Sequence, residues 1–75
     1  MIEQNILNIA FQICLKYADR DLAHDGYGIW QLAGDCLKQL IVPFNSHPLA
    51  ARVMQCIVNH YCDAWKAANK LPEAV

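Results

Sequence analysis

Over residues 48–70 the polar side chains fall on one narrow line and nearly everything around it is apolar. At 100° per residue Arg52, Gln55, Asn59, Asp63, Lys66 and Lys70 lie within roughly 80°, which leaves an apolar arc of about 240° on one predicted helix. That arc is wider than the surface helix of a monomer needs. The N-terminal stretch repeats the pattern over about 2–22. Asn5, Asn8, Gln12, Lys16 and Asp19 form a polar wedge of ~80°, while Ile2, Ile6, Ile9, Ala10, Ile13 and Tyr17 continue into Leu7, Phe11, Cys14, Ala18 and Leu22. Polar residues recur at three and four rather than at two, so a strand is excluded. Four isoleucines lower the intrinsic helix propensity, and burial must hold this helix in place.

Between these two lies a shorter pattern. Ala23-His24-Asp25-Gly26-Tyr27-Gly28 is turn chemistry, with Asp25 placed to cap a second helix over about 27–42. Ile29, Leu32, Ala33, Cys36, Leu37, Leu40 and Ile41 share one face of that helix, and Gln31, Asp35 and Lys38 sit opposite, toward solvent. Gly34 in mid-helix costs about 1 kcal/mol against alanine; it permits a close helix approach, and a merely tolerated glycine is an equal reading. Pro43 is expected to end the helix, Asn45 or Ser46 to cap the next, and Pro48 to sit in its first turn, where a missing N–H is harmless. Residues 71–75 read as a short tail.

The elements imply an all-α fold in a single domain over 1–75, a three-helix up-down-up bundle with long first and third helices. At 1.5 Å per residue those two run to roughly 30 Å, and a middle helix of roughly 20 Å cannot cover them end to end. A second copy of the chain is the simplest cover for the surplus apolar surface, two-fold dimers being the commonest oligomers. The residues expected at that interface are Leu7, Phe11, Met54, Val58, Tyr61 and Trp65, with Trp65 as the leading anchor because aromatic side chains beside a polar line suit interfaces.

Composition strengthens the argument. A chain of 75 residues hides only about 60 % of its unfolded surface and is marginal alone. Exchanging its three tyrosines for its three glycines, to match the reference set, leaves the hydrophobic share at 56 %, against a usual ~45–50 %; charged residues are 17 %, against ~25 %. Little chain remains to coat much apolar surface. The net charge of −1 and six scattered cations give no basic face, which disfavours nucleic acid as a partner, and the scattered acids cannot imitate a phosphate track. No apolar run reaches the ~18–20 residues of a membrane span, so no membrane role is expected. The acid in the opening MIEQN speaks against a secretory signal. The chain therefore reads as cytoplasmic, with Cys14, Cys36, Cys56 and Cys62 as thiols.

Candidate chemistry is sparse. Cys56 and His60 stand at i and i+4 and are the weak metal candidates; the plain alternative for His60 is a hydrogen-bonded core histidine. The doublet His24-Asp25 is similar, over two residues only, to the metal-binding doublet of the HD phosphohydrolases. That family uses further His and Asp ligands on a larger helical domain, and here a helix terminus followed by a cap is expected. Cys14, Cys36 and Cys62 lie in apolar arcs that favour the thiol, and nothing supplies an oxyanion hole or a phosphate loop. No cofactor and no catalytic residue are therefore expected. The leading expectation is a small homodimeric interaction protein that binds another protein. A compact helix-turn-helix regulator is second, and a small-molecule or metal-binding bundle around Cys56, His60 and the aromatics Tyr17, Tyr27, Trp30, Tyr61 and Trp65 is third.

Overall fold

A computed structural model describes residues Met1–Asn69; the tail and Lys70, the last member of the polar line, lie outside the described residues. The described chain is all-α and contains no strand. Its order is helix α1 (Ile2–Tyr17), a single 3-10 turn (Leu22–His24), helix α2 (Gly26–Cys36) running into a π-turn (Leu37–Ile41), and helix α3 (Pro48–Ala68).

Helix α1 buries Ile6, Ala10, Ile13 and Tyr17, a single line at intervals of four and three. It stops at Tyr17, five residues short of the predicted Leu22, and the reason is Leu22 itself. In a continuous helix Leu22 would project with Phe11, Leu15 and Ala18, a face that is exposed in this structure. Instead the Arg20 N–H donates to the Tyr17 carbonyl and the Leu22 N–H to the Arg20 carbonyl, each at 3.1 Å. This reversal leaves Asp19, Arg20 and Asp21 in solvent and drives Leu22 into the core, where it is 1 % exposed.

Asp25 caps α2 as expected, its Oδ1 accepting from the Gly28 N–H at 3.0 Å. Leu22 packs directly beneath Gly28: a Cβ there would collide with Leu22 Cδ2 and come within 2.9 Å of Asp25 Oδ2. Helix α2 then buries Leu32 and Cys36, and the π-turn adds Leu40, one residue per turn. The widened turn precedes Pro43, whose ring would clash with the Gln39 carbonyl in a regular α-helix and which has no N–H to donate. The Val42 N–H donates to the Leu37 carbonyl at 3.0 Å, five residues back. Closure follows the Schellman pattern, with Ser46 N–H to Ile41 O at 2.9 Å and Asn45 N–H to Val42 O at 3.3 Å.

That closure corrects the expected cap of α3. Asn45 and Ser46 have φ of 52° and 57°, the left-handed conformation the closure demands, and neither caps the next helix. His47 does, its Nδ1 accepting from the Leu49 N–H at 3.1 Å, with Pro48 in the first turn as predicted. At the far end, Asn69 Nδ2 donates to the Ala23 carbonyl at 2.7 Å and to the Trp65 carbonyl at 2.9 Å, tying the end of α3 to the 3-10 turn. Although it is 21 residues long, α3 buries only Ala50 completely.

Candidate interaction surface

Helix α3 contributes its apolar face to the molecule half-covered. Leu49, Val53, Met54, Ile57 and Tyr61 pack against the core yet stay partly exposed, as do Val58, Cys62 and Trp65. Between α3 and the π-turn lies an open groove of about 270 Å3, lined by Ile41, Ala51, Met54 and Val58 and edged by the amides of Gln55 and Asn59. The side of α2 leading to Ile41 is also uncovered: Trp30 is 78 % exposed, Leu37 47 % and nearby Tyr27 72 %. A separate stripe on α1 carries Leu7, Phe11 and Leu15, all more than half exposed. Scattered apolar residues are normal on a surface; contiguous apolar patches are the feature found where proteins, membranes or ligands make contact.

The six residues expected at an interface divide accordingly. Leu7 and Phe11 stand out from α1, while Met54 and Val58 line the groove. Tyr61 and Trp65 turn further inward. Tyr61 packs on the core with the His60 ring edge-on at 5.1 Å, and Trp65 Nε1 lies 3.5 Å from where a Cβ on Gly26 would be. Trp65 therefore already anchors α3 to the start of α2, and Trp30 is the tryptophan left in solvent. The polar line of Arg52, Gln55, Asn59, Asp63 and Lys66 is exposed throughout, as the pattern predicts.

A polar seam between α1 and α2 escaped the sequence reading. Asp35, expected to face solvent, is half-buried: its Oδ2 accepts from Tyr17 Oη at 2.6 Å and from Lys16 Nζ at 2.9 Å. In the turn just past the end of α1, Arg20 donates to Gln31 Oε1 at 2.8 Å and to Asp25 Oδ2 at 3.1 Å, with its guanidinium 5.2 Å above the Tyr17 ring. The signal was the matching four-residue interval in Lys16/Arg20 and in Gln31/Asp35, which lets the end of α1 and the turn after it meet α2 position by position. The bonds from Lys16 and Tyr17 hold the Asp35 carboxyl below its usual range. Burial, with the bond to Asp35, pushes the Tyr17 hydroxyl up to about 12. Asp25 is held low by the Gly28 N–H and by Arg20.

The remaining candidates are dispersed. Cys56 and His60 are both exposed, so His60 is no core histidine. Among the described residues no group of three or more His, Cys, Asp and Glu side chains could hold a metal ion. His24 Nδ1 pairs with Asp21 Oδ2 at 2.8 Å at the surface, while Asp25 serves as the α2 cap. All four cysteines are free; Cys36 is fully buried, and burial pushes its thiol up to about 11, where it is a poor nucleophile. No helix among the described residues is long and apolar enough to cross a membrane. Comparison with known proteins finds no matching family model, no matching curated protein and no matching solved structure.

Proposed function

We propose that the chain is a homodimeric helical interaction module whose work is binding, first to a second copy of itself and then to another protein. The observation that carries this reading is α3: a 21-residue helix with one fully buried side chain and a line of half-covered apolar ones. Burial of apolar surface at roughly 25 cal/mol per Å2 is the dominant drive for association, and the part of the α3 apolar face left uncovered is still available for it. An up-down-up arrangement is supported by the register in which Lys16 meets Asp35 and Arg20 meets Gln31, and by Asn69 meeting Ala23. The helix-turn-helix reading has less support, because the exposed line on α3 places Asp63 among its cations and six residues separate the π-turn from α3.

A second copy that binds only the folded chain makes thermal stability depend on concentration. The melting temperature should therefore rise with protein concentration across the micromolar range. A melting temperature independent of concentration across the range would contradict the homodimer.

A further inference from the structure

We propose that two copies pair through the side of α2 that carries Trp30, Gly34, Leu37 and Ile41, with each copy's Trp30 seated in the groove between the other's π-turn and α3. This rests on the homodimer reading above and specifies its face.

Trp30 presents a large aromatic side chain to solvent at 78 % exposure. The groove of about 270 Å3 has apolar walls and an amide rim, a fit for an indole whose N–H needs an acceptor. Gly34 supplies an independent reason. Among the described residues nothing beyond its own helix lies within 4 Å of where its Cβ would be, so their packing does not require glycine at this mid-helix position. A second helix crossing there does require a small residue, as close helix approach generally does.

The spacing is self-complementary. Trp30 and Ile41 are equally far from the point midway between Gly34 and Leu37. A two-fold axis through that point sets two α2 helices antiparallel, Trp30 opposite the partner's Ile41 and Gly34 opposite the partner's Leu37. No charged side chain is among these residues, so pairing strands no buried charge. Asp35, on the other flank, is already engaged by Lys16. With Tyr27, Val42 and the groove walls, each copy offers on the order of 600–800 Å2, close to the ~800 Å2 per partner of a standard interface. The α1 stripe of Leu7, Phe11 and Leu15 offers only three side chains and stays free for a different protein.

The test is molar mass by size exclusion with light scattering for the full chain and for Trp30→Ala, Gly34→Leu and Phe11→Glu, with helical content followed by circular dichroism. Expected are about twice 8.5 kDa for the wild type and for Phe11→Glu, and about 8.5 kDa with unchanged helicity for Trp30→Ala and Gly34→Leu. If the wild type is a dimer and those two variants remain dimers, this face is wrong while the homodimer stands. A monomeric wild type overturns both. If a variant lost helicity, Trp30 emission in a Trp65→Phe background decides: a blue shift across the monomer–dimer transition is expected, and its absence overturns the proposal.

Discussion

Tyr17 is 1 % exposed, yet its hydroxyl reaches Asp35 at the rim of the α1–α2 seam. That one side chain closes the core and opens the polar network. Because its hydroxyl is held protonated to about 12, a spectrophotometric titration should show a late tyrosine step near that value. Tyr17→Phe should abolish that late step. A raised folded value means the group's contribution to stability is complete below its ordinary value and is lost as pH rises through the folded one. With Tyr17 at about 12 and Cys36 at about 11, the melting temperature should fall through that alkaline window, less steeply in Tyr17→Phe. Asp35 works in the opposite sense: its carboxyl is depressed, so its contribution is present above the ordinary carboxylate value of about 4 and is lost as acid protonates it. Gly28 is the second critical residue. Gly28→Ala should cost about 1–3 kcal/mol by denaturant melt because Leu22 and Asp25 leave no room, whereas Gly26→Ala, with Trp65 at an ordinary 3.5 Å, should be tolerated. Equal stability of the two variants would refute the packing of Leu22 under α2.

At the scale of elements, helical periodicity was legible in the sequence, and so were the Asp25 cap and the place of Pro48, because each depends on neighbours in the chain. What escaped depends on residues far apart. The end of α1 is set by the burial of Leu22 against Gly28, and Asp35 is drawn from solvent by Lys16 and Tyr17. The cap of α3 was missed for another reason: the π-turn before Pro43 delays closure, so Asn45 and Ser46 are used to end one helix and His47 to begin the next. His47→Ala should therefore cost about 0.5–2 kcal/mol, with His47→Asp retaining most of the stability, both read from urea melts. Ser46→Gly should stabilise by about 0.5–1 kcal/mol, since a left-handed backbone disfavours any side chain. If Asn45 or Ser46 were the true cap, alanine there and not at position 47 would carry the loss.

For the whole molecule, the excess of apolar positions read from α1 and α3 persists after folding. It is distributed differently from the simple expectation: Trp65 is spent inside the chain, and Trp30, assigned no leading role by the pattern, is left outside. The core of the chain is a thin line from α1, the 3-10 turn, α2 and the π-turn, over which α3 lies with its sides open and only Ala50 fully buried. On the homodimer proposed above, covering those sides is part of how the chain folds rather than an event after folding. Sedimentation equilibrium at micromolar concentration measures this most directly. A mass of about twice 8.5 kDa is expected, and a mass of 8.5 kDa together with a cooperative melt would contradict the homodimer.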